Sequence, residues 1–311
     1  MESSGRVFVL IASIAILLTV VRNSAHATNS SYTLEHLGPF DFIEKLSGCH
    51  KGEKNVTQLH KLKAYLNRFG YTCSKNHLHD DDFDSSLEAA IKAYQLNYRL
   101  TPTGVLDKET VKQMMVPRCG FPDTVNRTVQ LVSGMTTTTK KHPGSLRTVS
   151  HYSFFRDKPR WPLAQTNLRY AFLPSVPDWA KQPIFNAFGQ WDAGSRFTFQ
   201  HVTDVNQANL RVGFFNGDHG DGFSFDGPGG TVAHAFAPTI GRMHFDAAER
   251  WSRDPTPDAM HLETVAVHEI GHLLGLYHSQ VPEAVMFAVI YPGVNKLLHE
   301  DDRAGVRALY S

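Results

Sequence analysis

Cysteine is scarce in this chain: 311 residues hold three, Cys49, Cys73 and Cys119. That scarcity excludes a disulfide-stapled mini-scaffold, and the odd number leaves at least one thiol for a separate task. Cys49 and Cys73 can pair, which would set Cys119 apart. Charge of one sign is also missing, since 31 Lys and Arg face 30 Asp and Glu, so neither nucleic acid nor an anionic membrane is indicated as a partner. Long apolar runs are absent after the first residues. The one such run, residues 7–21, follows Arg6, is too short for a comfortable bilayer span, and precedes Ala25-His26-Ala27. This reads as a signal peptide over residues 1–27, cleaved after Ala27, with a signal anchor as the alternative. The chain ends at Ser311 with no hydrophobic tail, and the mature protein is expected to be secreted, extracellular, without a membrane anchor and monomeric.

What the chain does have is chemistry concentrated in VHEIGHLLGLYH, residues 267–278. His268 and His272 stand four apart, so a helix projects both imidazoles from one face, one turn above the other, within reach of a shared metal ion. Glu269 follows the first histidine directly, beside the metal but off the ligand axis, where a carboxylate can take a proton from metal-bound water. Gly275 can adopt positive φ cheaply, end the helix and swing the chain back, which brings His278 as a third nitrogen ligand. Three protein ligands leave the fourth tetrahedral position to water, the arrangement of a hydrolytic zinc centre. Five fixed residues within eleven arise by chance on the order of once in ten thousand such chains.

The pattern H-E-x-x-H-x-x-G-x-x-H resembles that of the metzincin proteases, in which a methionine turn lies below the zinc. Met286, eight residues after His278, stands where the matrixin (matrix metalloproteinase) branch has it, and PRCGFPD at residues 117–123 resembles that family's cysteine-switch motif at every position but the variable Phe121. The resemblance is to the plant-type form without a hemopexin-like domain. It implies an α+β catalytic domain, a twisted mixed sheet with helices, preceded by a small all-α prodomain. It further implies a secreted zinc endopeptidase made as a zymogen that cleaves extracellular proteins after an activating protease has acted. Cys119 would take the fourth zinc position in place of water, held there by an Arg118–Asp123 pair.

The intervening residues fit that organisation. Residues 40–115 read as a helical bundle. Leu59, Leu62, Leu66 and Phe69 stripe one helix, residues 87–98 repeat the pattern, and Asp107 with Thr110 three residues on begins a third. The bundle resembles the peptidoglycan-binding-like module of matrixin propeptides, and a wall-binding carbohydrate module in its own right is the competing reading. The propeptide is expected over residues 28–123. The polar run GMTTTTKKHPGSLR marks residues 124–150 as a linker open to proteolysis, without a tight furin-type basic site. Glycosylation sequons stand at Asn29, Asn55 and Asn126, all on the propeptide side.

The catalytic domain is expected over residues 151–311, with the mature chain starting near Tyr152. Strands are predicted at 167–172, 197–202 and 209–215, with a helix at 178–192 and a last helix in the closing segment HEDDRAGVRALYS. His219, Asp221, His234 and His244 offer three imidazoles and a carboxylate, a closed set suited to structural zinc, and matrixins use these positions that way. Asp226, Gly227, Gly229, Thr231, Asp246 and Glu249 offer hard oxygen ligands for at least one calcium ion. Asn209 and Arg242 stand where relatives carry aspartates, so a second calcium is not expected. The edge strand at 230–236, through Val232 and Ala233, is expected to take an extended peptide as an added strand. Ala288 stands where the family's turn has proline, and Thr264, one helical turn before His268, is expected to make the S1′ pocket intermediate or deep. Asp301 or Asp302 is expected to receive the new N-terminal ammonium.

Overall fold

The periodic leucines of the N-terminal half do form helices that meet along their apolar stripes. In the computed structural model, which describes residues 38–74, 77–123 and 151–311, helices α1 (Leu59–Arg68), α2 (Ser85–Asn97) and α3 (Lys108–Met114) make a small bundle. Leu59, Leu62, Leu66 and Phe69 are fully buried against Leu87, Ile91 and Tyr94. Helix α2 starts at Asp84, whose carboxylate accepts the Leu87 N–H at 2.8 Å; α3 starts at Asp107, which accepts the Thr110 N–H at 2.8 Å. The expected leader (1–27), the linker (124–150) and the sequons at Asn29 and Asn126 lie outside the described residues. No helix among the described residues is long and apolar enough to cross a membrane.

The second half is a mixed sheet backed by two helices. Its strands are β1 (Arg118–Cys119), β2 (Asn167–Phe172), β3 (Thr198–His201), β4 (Leu210–Phe215), β5 (Thr231–Ala235) and β6 (Arg242–Asp246), in the order β1-β5-β6-β4-β2-β3. Only the β5–β6 pair is antiparallel. Helices α4 (Asp178–Gly194) and α5 (Leu262–Leu273) pack against each other, and the Trp191 indole N–H donates to Val267 O at 2.8 Å. Helix α5 is buried along nearly its whole length, Glu263 excepted, as a helix apolar on all sides must be. A final helix, α6 (Glu300–Leu309), closes the domain and starts with a capping box at His299.

The two halves meet along one seam. The described residues belong to one compact unit, and β1, which ends the helical bundle, is built into the sheet of the other half. The Arg118 N–H donates to Gly230 O (2.9 Å) and the Gly120 N–H to Ala233 O (2.8 Å). On its other side the Cys119 N–H donates to Ala288 O (3.0 Å), and Pro117 O accepts the Ile290 N–H (2.9 Å). Val289, from that flanking segment, belongs to the hydrophobic cluster of the helical bundle and is 1% exposed. A second contact lies at the end of α1, where the Arg68 guanidinium donates to Asp226 Oδ2 (2.9 Å) and Ser224 O (3.1 Å).

Cys49 and Cys73, whose pairing the sequence left open, are both free. Cys73 is buried in the bundle core, with its thiol near Tyr71 O two residues before it, while Cys49 is half-buried beside Glu53. Burial raises both thiols, Cys49 to about 11 and Cys73 to about 12.

Candidate metal centre

Helix α5 carries His268 and His272 on one face, and Gly275, at φ +96°, turns the chain so that His278 returns to the same point. A side chain at Gly275 would meet Pro159 O at 2.6 Å, so the turn also requires close approach. The ligand atoms of His268, His272, His278 and Cys119 lie within 4.8 Å of one another, all four residues buried. The two helical imidazoles are oriented from behind: His268 Nδ1 faces Val285 O at 2.7 Å and His272 Nδ1 faces Leu276 O at 2.9 Å. Carbonyls only accept, so these nitrogens carry the protons and the Nε2 lone pairs point inward, 3.1 Å apart. Burial holds all three imidazoles below their usual range, hence neutral. His278 has no hydrogen bond at either nitrogen among the described residues, its Nδ1 lying 3.5 Å from Asp123 Oδ1. Facing lone pairs in a buried site repel unless a cation sits between them, so these residues fit a zinc ion.

Cys119 Sγ stands 3.4 Å from His272 Nε2 and is fully buried. Burial, and then the nearby Glu269 carboxylate, push its thiol well above the usual range, so a cation is what would favour the thiolate. Glu269 is itself fully buried, neither oxygen has a hydrogen bond of normal geometry among the described residues, and burial raises its carboxyl. Beneath the cluster lies Met286, 1% exposed, accommodated because residue 271 is glycine: a Cβ there would meet Met286 Sδ at 2.2 Å. Asp302 holds this turn, accepting the Val285 N–H at 3.0 Å and the Met286 N–H at 3.2 Å.

What fixes Cys119 in place is a buried ion pair. Arg118 Nη2 lies 2.5 Å from Asp123 Oδ1 and Nη1 3.0 Å from Oδ2, both side chains 1% exposed. Burial alone would raise the Asp123 carboxyl, but Arg118 outweighs it and holds it well below the carboxylate range. The hydroxyls of Tyr71 (2.7 Å) and Tyr98 (2.9 Å) donate to Asp123, and the guanidinium lies 3.6 Å from the centre of the Phe69 ring. The pair is therefore fully partnered, which a buried charge pair requires. Phe121, at the motif's variable position, packs its ring against Phe155, Phe223, Phe236 and His272.

The second cluster is complete as well. Asp221 Oδ2 receives His219 Nε2 (2.9 Å), His234 Nε2 (2.8 Å) and His244 Nδ1 (2.8 Å). The four residues form the other group of possible metal ligands among those described. Burial lowers His234 to about 4 and lowers His244; for Asp221 burial is opposed by the Phe223 N–H and the imidazoles, which bring it down to about 2. Three imidazoles around one carboxylate match the donor set of a closed zinc site.

The acidic loop is looser. Asp226 accepts from Thr231 N (2.7 Å), Asp246 from Gly227 N (3.2 Å) and Glu249 from Gly229 N (2.8 Å). Burial raises Asp246, and pushes Glu249 up to about 7 with Asp246 and Asp226 adding to it. Of these three carboxylates Asp226 is paired with Arg68 at 2.9 Å, and the oxygen donors suit calcium. Asn209, by contrast, is used structurally, its side-chain carbonyl accepting the Arg169 N–H at 2.9 Å.

Other expectations resolve residue by residue. Strand β5, expected as an edge strand, lies between β1 and β6; Ala233 pairs with Cys119 of β1, and Val232 and Ala233 are both fully buried. Of the two acidic candidates at the C terminus, Asp301 is the one near the start of the second half: it accepts the His151 N–H at 2.8 Å, whereas Asp302 is committed to the methionine turn. Asn55 is exposed. Thr264 borders a pocket beside His268, and its hydroxyl accepts from Lys296 N (3.0 Å) and donates to Val294 O (3.3 Å). Sequence reasoning missed Arg68, Phe121, Val289 and Lys296, whose partners are distant in the chain and follow no local spacing.

Comparison with known proteins agrees with this geometry. The family profile described as Matrixin matches residues 160–311, and that described as Putative peptidoglycan binding domain matches residues 55–114. Metalloendoproteinase 5-MMP of Arabidopsis thaliana is 42% identical over 283 residues, covering 87% of this chain and 76% of that protein. Metalloendoproteinase 1 of Glycine max is 43% identical over 276 residues, 86% of each chain. Matrilysin of Homo sapiens is 32% identical over 270 residues, covering 83% of this chain and 88% of its own.

Proposed function

Because the chain belongs to the matrixin family of zinc metalloendopeptidases, we propose that it is a secreted endopeptidase whose zymogen is silenced by Cys119 and whose general base is Glu269. His268, His272 and His278 would hold the catalytic zinc; His219, Asp221, His234 and His244 a structural one. Asp226, Asp246 and Glu249, with backbone oxygens at Gly227, Gly229 and Thr231, would hold calcium. Zinc at the first site supplies Lewis acidity and lowers the pKa of a bound water. Glu269 is the one carboxyl beside that site with both oxygens uncommitted, so it can take a proton from the attacking water and deliver it to the departing amine.

The observation that carries the reading is the position of Cys119, whose sulfur stands among the three histidines while its backbone lies between β5 and residues 288–290. In one placement the segment takes both the metal position and the peptide-binding edge. On this reading residues 28–123 are the propeptide, 124–150 carry the activating cut, and an extended substrate takes the seat of β1 along Ala233. Removal of residues 1–27 on export, Asp301 as receiver of the new terminal ammonium, and sugar at Asn29, Asn55 and Asn126 belong to the same reading.

The test is Cys119→Ser in the full-length chain. The variant is expected to cleave a quenched peptide without any maturation, while the parent stays silent until cut. A variant as silent as its parent would refute the inhibitory role, and N-terminal sequencing of protein from culture medium tests export and the cut after Ala27 separately.

A further inference from the structure

The leading half grips the acidic loop at several points, all remote from the three histidines. At the end of α1 the Arg68 guanidinium donates to Asp226 Oδ2 at 2.9 Å and to Ser224 O at 3.1 Å, with the Arg68 side chain 35% and that of Asp226 17% exposed. Gly38 and Pro39 lie on residues 228–230: a Cβ at Gly230 would meet Pro39 Cγ at 2.4 Å, and one at Gly229 would meet Gly38 Cα at 3.6 Å. The Arg118 N–H adds its bond to Gly230 O at 2.9 Å.

While this grip lasts, Asp226 has little to offer a second cation. Its Oδ1 accepts the Thr231 N–H at 2.7 Å, and its Oδ2 accepts both the guanidinium and, at 3.2 Å, the Thr231 hydroxyl. A guanidinium on a carboxylate makes a charge-assisted bond, so Arg68 already supplies the positive charge that a calcium ion would bring to that oxygen. Asp246 and Glu249, the other carboxylates of the loop, accept the Gly227 and Gly229 N–H groups instead. Arg68 therefore bears on one ligand of the set.

We propose that Arg68 and calcium compete for Asp226, so that the loop takes up calcium weakly while residues 28–123 are attached, and the ion loosens their hold when it binds. Such coupling is reciprocal: whatever factor Arg68 takes from calcium affinity, calcium takes from docking of the leading half. One partly exposed ion pair sets that factor at roughly three to ten. This competition presupposes the calcium site and the propeptide proposed above.

The experiment titrates the full-length chain with terbium(III) as a luminescent stand-in and then displaces it with calcium. Trp251, whose indole N–H donates to Asp246 O at 2.8 Å, stands beside the loop to sensitise the emission. Arg68→Met is expected to bind calcium roughly three- to tenfold more tightly than wild type, whereas Arg68→Lys, which keeps the charge, stays near wild type. Saturating calcium is expected to speed labelling of Cys119 by a thiol reagent in wild type by a similar factor, and far less in Arg68→Met. Equal calcium affinities in wild type and Arg68→Met overturn the competition. Weaker binding in Arg68→Met also overturns it, since Arg68 would then support the site. Should neither the full-length nor the matured chain bind terbium or calcium, the competition falls with the calcium site itself, a failure told apart from the other two by the matured chain.

Discussion

Glu269 and Glu249 are both buried carboxyls lifted by desolvation, yet their surroundings give them different work. Glu269 stands alone with open oxygens, and Glu269→Gln is expected to keep its zinc by metal analysis while turnover falls roughly 10²–10⁴-fold. Glu249 stands in a carboxylate crowd and is raised from 4.5 to about 7. A folded-state pKa above the unfolded one means stability that is full at low pH and lost as pH rises from about 4.5 to about 7. With chelator present, the melting temperature of Glu249→Gln relative to wild type should therefore rise between pH 5 and pH 7.5. Added calcium should cancel or reverse that difference, and a gap that stays flat with pH would contradict the assignment. The histidines and Glu269 were legible in the sequence because their geometry is local: one helix and one glycine turn place them. Lys296 was not, since the Pro282 and Ala284 carbonyls it grips and the Phe287 ring it covers are brought to it only by the fold.

Among the elements, the methionine turn and α6 depend on each other through Asp302, which accepts three backbone N–H groups, from Val285, Met286 and His299. Asp302→Ala leaves buried donors without partners and is expected to cost about 2–4 kcal/mol in denaturant unfolding, with weaker zinc retention as the second readout. The helices α1, α2 and α3 were readable because their signals are local: the stripe of Leu59, Leu62 and Leu66, its repeat over residues 87–98, and the cap at Asp107. Strand β1 was not. Two residues carry no periodicity, and Arg118 and Cys119 become a strand only because Gly230 and Ala288, far along the chain, offer acceptors on either side. Strand β6 escaped notice too, its alternation in RMHFD being short and its His244 and Asp246 drawing a reading as ligands.

For the whole molecule, the helical bundle and the protease share buried surface rather than merely touching. Val289 completes the bundle's core, with Phe287 and Tyr291 packed around it, while Arg68 reaches Asp226 at the far end of the seam. Val289→Ala is expected to destabilise the bundle by about 1–3 kcal/mol and to speed labelling of Cys119 by a thiol reagent. Equal labelling rates in variant and parent would count against a shared core. The division into a helical half and a mixed α+β half was readable from composition and motif; their joint interior was not, because no local pattern says that a residue near position 289 packs among leucines near position 60.

Strand β5 is an inner member of the sheet because β1 pairs along it. Were the leading half cleaved away, as the proposed function has it, β5 would become a bare rim of unpaired amides next to newly uncovered Phe287, Val289 and Tyr291. Such a rim accepts any unfolded stretch of polypeptide, including one from a neighbouring molecule. On that reading maturation would open the substrate edge and an adhesive surface in the same step, and other copies of this chain would be among the polypeptides able to take the vacated seat.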